Sequence, residues 1–229
     1  MEIVATPTAI PVPSDLYGDV RLSIVRIQTP ANTIGSGWAI EDGWIITNEH
    51  VVSGHSAVTV EVPQADGGIT TLNGVVRGID TKRDLAAIEV DHDAEVLPTR
   101  IITASDSGIP IIQLGYSVHA TGGFPVIHTG VVTTVVRHLG TVLSDAPQRA
   151  DEGGDQGGVG VVYFDADADP GDSGGPVLDM QGNVVGITFG STVTTAGGKR
   201  VHGQQQATGI ESINRVWSSL KNGVNTTSF

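Results

Sequence analysis

Three short segments of the chain hold residue types suited to acyl-transfer chemistry. The most informative is Pro170-Gly171-Asp172-Ser173-Gly174-Gly175-Pro176. A serine set among glycines suits a tight turn that exposes its hydroxyl and leaves backbone N–H groups able to converge on a developing oxyanion. Glycine-rich turns are also common in β proteins with no such role, so the segment gains meaning only from its context. Part of that context is Thr47-Asn48-Glu49-His50-Val51-Val52, where an imidazole, a natural general base, follows an apolar run. A lone histidine is more often structural. The third segment, Thr81-Lys82-Arg83-Asp84-Leu85-Ala86-Ala87-Ile88, has one acid opening a wholly apolar run. A carboxylate at that boundary can be buried and hydrogen-bonded to an imidazole.

Such residues, more than thirty positions apart, need a scaffold to bring them together. From about residue 20 the chain breaks into short β-type runs separated by turn residues: 22–28, 37–40, 44–47, 57–62, 70–79 and 85–90. Six runs in about seventy residues suggest a closed antiparallel barrel. A second series follows at 111–112, 117–121, 129–136, 159–164, 176–178 and 184–189. The expected fold class is therefore all-β, with two tandem six-stranded antiparallel barrels. In this arrangement the run 44–47 delivers His50 to a barrel rim, beside the cleft that a second barrel creates.

Only the end of the chain has helical periodicity. Ile210, Ile213, Val216 or Trp217, and Leu220 recur at helical spacing, and Gly223 would stop the run. Thr208 with Glu211 fits a capping box, with Ser212 as a rival cap. The boundaries expected are an extended Thr/Pro linker over 1–14, barrels over 15–113 and 114–208, and a helix with its tail over 209–229. The linker suggests either an ordinary disordered N-terminus or the remnant of a tether whose signal or anchor has been removed. Residues 139–158 are acidic and glycine-rich and are expected to form a mobile surface loop, with a further loop over 191–200.

Composition narrows the function classes. The chain has 229 residues, 12 basic and 25 acidic, for a formal charge of −13, and the pI is about 4.7. Such a surface repels duplex phosphates, so nucleic acid is excluded as a partner. Cysteine is absent, which removes thiolate zinc sites, disulfide scaffolds and thiol nucleophiles. With 31 glycines and only 4% aromatics, a helical bundle is disfavoured. No apolar stretch approaches the length of a membrane span. Asp165-Ala166-Asp167-Ala168-Asp169 imitates the start of a calcium loop, but Pro170 and Pro176 occupy positions that need glycine and glutamate. Asp91-His92-Asp93 and the pair His50 and His55 lack metal-site spacing. No metal or organic cofactor is expected.

The three segments together resemble the chymotrypsin-like serine peptidases, and most closely their HtrA/Deg type. The resemblance runs through Gly35-Ser36-Gly37-Trp38-Ala39-Ile40, residues 44–52, residues 84–88, Asp165-Ala166, residues 170–176 and Gly182-Asn183-Val184-Val185-Gly186-Ile187. It implies a double β-barrel with the site between barrels, a triad of His50, Asp84 and Ser173, and an oxyanion hole from the N–H groups of Gly171 and Ser173. The order His, Asp, Ser along the chain is that of the chymotrypsin triad. The activity implied is endopeptidase cleavage of protein or peptide substrates outside the cytoplasm. Gly171-Asp172-Ser173-Gly174-Gly175 also satisfies the nucleophile elbow of α/β-hydrolases, but Gly174-Gly175-Pro176 forbids the helix that must follow. A catalytically silent or gated barrel used as a binding module is the rival from another class.

Two features depart from the HtrA pattern. Asp172 precedes the nucleophile, as in trypsin-type enzymes, where HtrA-type members usually carry Asn. No Ile-Val-Gly-Gly stands before His50 to provide an activating N-terminus for it, so the partner of Asp172 is open. Asp167, six residues before Ser173, either sits at the base of the specificity pocket and favours basic substrates by charge pairing, or faces solvent in its loop. By analogy, Thr188, Phe189 and Gly190 line the substrate cleft by extended backbone pairing. HtrA-type chains usually continue into a PDZ domain, and this sequence ends at Phe229. The oligomeric state is not legible.

Overall fold

A computed structural model describes residues 13–117, 120, 123–138, 159–190, 193–194, 200–201 and 204–226. Two closed six-stranded antiparallel barrels follow one another along the chain. The first contains β1 (Ile24–Gln28), β2 (Ile34–Glu41), β3 (Trp44–Thr47), β4 (Ala57–Pro63), β5 (Ile69–Asp80) and β6 (Leu85–Glu89), closed in the order β1-β2-β3-β6-β5-β4. The second contains β7 (Pro110–Gly115), β8 (Val126–His138), β9 (Val159–Phe164), β10 (Pro176–Asp179), β11 (Val184–Gly190) and, after a two-stranded ribbon of β12 (Val193–Thr194) and β13 (Arg200–Val201), β14 (Gln205–Gly209). Its order is β10-β11-β14-β9-β8-β7. The fold class expected from the sequence is the one found.

The strands facing the partner barrel are apolar on both faces because each face has its own core to fill. Along β6, Ala86 and Ile88 point into the first barrel with Val25, Ile27, Val58 and Val60. Leu85 and Ala87 turn the other way, into a core shared with Ile112, Leu114, Leu178 and Ile187 of the second barrel. A separate cluster of Ile111, Val132, Val162, Phe164 and Val177 fills the second barrel. The fully apolar run that marked Asp84 in the sequence is thus a strand wedged between two cores.

Helix α3 (Ile210–Lys221) buries Ile210, Ile213 and Leu220 in the shared core. The capping box expected at its start is not formed: the N-cap is Gly209, without a side-chain cap bond. Thr208 Oγ1 instead donates to the Arg83 carbonyl at 2.9 Å, Glu211 accepts from Arg137 and Arg215, and the Ser212 hydroxyl accepts from Gly160 N–H. Each candidate cap has a tertiary partner that outcompetes the local one. Residue 117 and the described residue 120 are not in a strand, and the sixth strand of the second barrel is β14. The sequence boundary at 113/114 falls within β7. Pro13 and Ser14 open helix α1 (Pro13–Val20); the rest of the expected linker and the loop 139–158 lie outside the described residues.

Candidate active site

Strand β3 ends at Thr47, and the one-turn helix α2 (Glu49–Val52) follows at once. Val51 and Val52 anchor that turn in the first barrel's core, which leaves His50 on its outer side, with the ring 36% exposed. Asp84, at the entry to β6, is fully buried. Its Oδ2 lies 2.7 Å from His50 Nδ1 and its Oδ1 accepts the His50 backbone N–H at 2.9 Å. One carboxylate therefore fixes both the ring and the backbone of the histidine.

Asp84 is itself clamped. Its φ is +54°, a left-handed conformation that aspartate tolerates better than most residues. Asn48 Nδ2 donates to its carbonyl at 2.9 Å. The residue before it, Arg83, pairs with Asp80 at 2.8 Å and offers its carbonyl to Thr208 of the second barrel. Burial pulls the His50 pKa down, but the hydrogen bond and charge of Asp84, with Glu49 adding to them, outweigh it and leave the value raised above 6.5.

The second barrel supplies the turn between β9 and β10. Gly175 N–H donates to the Asp172 carbonyl at 2.9 Å, and Gly174 N–H donates to the Thr188 carbonyl at 2.8 Å. Gly171 and Gly174 have φ of +104° and +86°, which glycine alone adopts without strain. Among the described hydrogen bonds, neither the Gly171 nor the Ser173 N–H donates to a protein acceptor.

Ser36 ties this turn to the first barrel. Its N–H donates to the Ser173 carbonyl at 2.7 Å, its hydroxyl donates to the Gly171 carbonyl at 2.7 Å, and its carbonyl accepts from Thr47 Oγ1 at 2.7 Å. Thr47 is three residues before His50. The segments carrying Ser173 and His50 are thereby joined through one buried residue. No hydrogen bond between the Ser173 and His50 side chains occurs among the described residues. Sequence reading assigned no role to Ser36 or Asn48 and only a helix-cap role to Thr208; the available signal was a polar residue held within an apolar strand or at its end.

The remaining candidates are placed less centrally. Asp167 is exposed. Thr188 frames the nucleophile turn through its backbone, whereas the Phe189 side chain packs with Val159 and Val161. Gly190, at the end of β11, is partly exposed. Asp172 is buried, and a partner that the sequence did not reveal, His128 of β8, stands 3.4 Å from it.

Comparison with known proteins agrees with this fold. A family model described as a trypsin-like peptidase domain matches residues 35–187, a stretch that includes His50, Asp84 and Ser173. HhoA of Synechocystis sp. is 36% identical over 154 residues, covering 67% of this chain and 36% of that protein. A DegP-like serine endoprotease of Halomonas elongata, named as periplasmic, is 32% identical over 160 residues, 68% of this chain and 29% of its own. The chain thus spans about a third of the length of these relatives. The crystal structure of the Rv3671c protease from M. tuberculosis superposes with a TM-score of 0.70 at 24% identity in its active form, covering 96% of this chain and 93% of that one. The inactive form gives the same TM-score and identity, covering 94% and 99%; at that identity the likeness speaks for the fold. The chain belongs to the trypsin-like peptidase family, as a domain of the HtrA type.

Proposed function

We propose that this chain is a serine endopeptidase that hydrolyses peptide bonds of protein or peptide substrates through an acyl-enzyme on Ser173. The observation that carries this reading is the doubly held His50: a buried Asp84 grips both its Nδ1 and its backbone N–H, beside a turn whose Gly171 and Ser173 amides are uncommitted. Ser173 Oγ attacks the scissile carbonyl carbon while His50 Nε2 takes its proton. The two amides hold the resulting oxyanion, and collapse breaks the C–N bond as His50 returns the proton to the leaving amine. Water then repeats the sequence and releases the acid. No step calls for a metal ion or an organic cofactor.

His50 must be neutral to accept that proton. Because its pKa is raised, the acid limb of kcat/KM is expected to lie above the free-imidazole value of about 6.5. A limb at or below that value would show that Asp84 does not act on the ring as described. Asp167, being exposed, is expected to leave substrate choice nearly unchanged: Asp167→Ala should alter the ratio of Arg to Val cleavage by less than about twofold, as for a solvent-screened charge. A tenfold collapse of Arg preference would place it in the pocket after all.

The direct test compares a casein or peptide-library digest by the intact protein with Ser173→Ala, alongside labelling by a fluorophosphonate. The absence of a Ser173 to His50 hydrogen bond gives the binding-module reading its one support, although such bonds often tighten only with substrate. Absence of both cleavage and Ser173 labelling would favour that reading. An extracytoplasmic site of action is our reading of the Thr/Pro-rich N-terminal segment and the DegP-like relative; cell fractionation checks it.

A further inference from the structure

Asp172 immediately precedes Ser173 and is 1% exposed. Its backbone and side chain together clamp the turn: its N–H donates to the Asp169 carbonyl at 3.0 Å, its carbonyl accepts from Gly175 at 2.9 Å, and its Oδ2 accepts the Asp169 N–H at 2.8 Å. Its Oδ1 has no hydrogen-bond partner among the described residues. The backbone of Gly115 lies so close that a Cβ there would press on Oδ1. A buried carboxylate persists only when its charge is balanced.

The balancing group comes from another strand. His128 of β8 places Nε2 3.4 Å from Asp172 Oδ2, with its side chain only 15% exposed. At this distance Nε2 falls short of the alignment of a formed hydrogen bond, yet it is near enough that Asp172 favours the protonated ring first as an acceptor and then as an opposite charge. Across β7 the residue opposite His128 is the uncharged Gln113. The other charges that act on the imidazole are those of Asp169 and Asp167, both carboxylates on the loop before Ser173. Among the described ion pairs, His128 supplies the one that reaches Asp172.

We propose that charged His128 is the counter-cation of Asp172 and, through it, a positioning residue for the Ser173 turn. The catalytic consequence rests on the peptidase reading above. When the imidazole loses its proton, an unbalanced carboxylate is left against the backbone of β7. Relief comes from swinging it toward water, which breaks the Asp169 bond and turns the peptide that carries the Ser173 N–H. Asp172 raises the His128 pKa above 6.5, burial opposes it, and Asp169 and Asp167 add to the rise. An upward shift means that the pairing is complete below the ordinary imidazole range and is lost as pH rises through the folded value. His50 works in the opposite sense, so hydrolysis needs one histidine neutral and the other charged.

The test is the pH profile of kcat/KM on a peptide amide, from about pH 5 to 10, spanning both imidazole titrations, for the wild type, His128→Lys, His128→Gln, Asp172→Asn and the double variant Asp172→Asn with His128→Gln. The wild type should fall about tenfold on the alkaline side, whereas His128→Lys, with a charge that persists, should not. His128→Gln should be about tenfold low throughout in kcat. In the Asp172→Asn background, where no charge needs balancing, the same change should matter less than about twofold. Identical alkaline limbs in wild type and His128→Lys, or an undiminished His128→Gln penalty beside Asp172→Asn, would overturn the proposal. Thermal unfolding across the same pH range gives a readout independent of catalysis: wild-type stability should decline as the two raised imidazoles deprotonate, and Asp172→Asn should remove the share owed to His128 while leaving the share owed to His50. If no substrate is cleaved at any pH the peptidase reading fails, while the unfolding profiles still decide the His128 to Asp172 coupling.

Discussion

Ser173→Ala and His50→Ala will each lower kcat by about a millionfold, and combining them will cost no more. In the mechanism proposed above the two side chains form one proton path, so removing either end removes the whole path. Asp84→Asn should cost less, about ten-thousandfold. Asp84 does two things for His50: Oδ2 accepts from Nδ1, and Oδ1 accepts the backbone N–H. An amide can replace only one of these acceptors. If its NH2 faces the ring, Nδ1 must become the acceptor and the proton moves to Nε2, where it blocks removal of the serine proton. Single-turnover hydrolysis of an activated ester measures all three variants. Additive losses for Ser173 and His50, or an Asp84→Asn variant retaining more than about a tenth of the wild-type rate, would be incompatible with the roles assigned here.

The second large effect concerns folding as well as catalysis. A methyl at 174 would overlap the Ser36 carbonyl oxygen and crowd Thr47 Oγ1, and the residue has a φ of +86°. Left-handed strain and backbone overlap together should cost about 3–5 kcal/mol in Gly174→Ala, or roughly 10 °C in Tm for a chain of this size. Two comparison variants separate the causes. Gly67 has a φ of +89° but open space around its missing Cβ, so Gly67→Ala should lose only about 1–2 kcal/mol. Gly18, inside α1 with nothing near, should tolerate alanine or gain about 0.5–1 kcal/mol. If Gly174→Ala melts within about 2 °C of Gly67→Ala, the approach of Ser36 is not the constraint described here. Because the same approach sets the Ser173 carbonyl on the Ser36 N–H, activity should fall further than stability alone accounts for.

The sequence was most legible where residue type and position had one sensible use. Val, Ile and Thr runs bounded by turns marked the barrel strands, and the glycines around Ser173 marked a turn that other residues would strain. Asp84 stood out because a lone acid before Leu85-Ala86-Ala87-Ile88 has few stable environments. Contacts made by ordinary residues at long range were not legible. Ser36 sits in a strand like any small residue until Gly171, Ser173 and Thr47 are folded onto it. His128 is one imidazole among seven, and nothing local to it points to Asp172. The helix cap failed for the same reason: Thr208, Glu211 and Ser212 all suit a local motif, but each meets a better partner far along the chain, Arg83 in the turn before β6, Arg137 in β8 and Gly160 in β9. Strand β14, with Gln205 and Gln206 at its start, was missed because polar residues mask a strand that its neighbours β9 and β11 hold in register.

The shared core, which takes Leu85 from the first barrel, Ile187 from the second and Ile213 from the final helix, bears on how the molecule comes into being. Synthesis proceeds from the N-terminus, so β6 leaves the ribosome with its second apolar face uncovered, and that face stays open until β11 and α3 follow more than a hundred residues later.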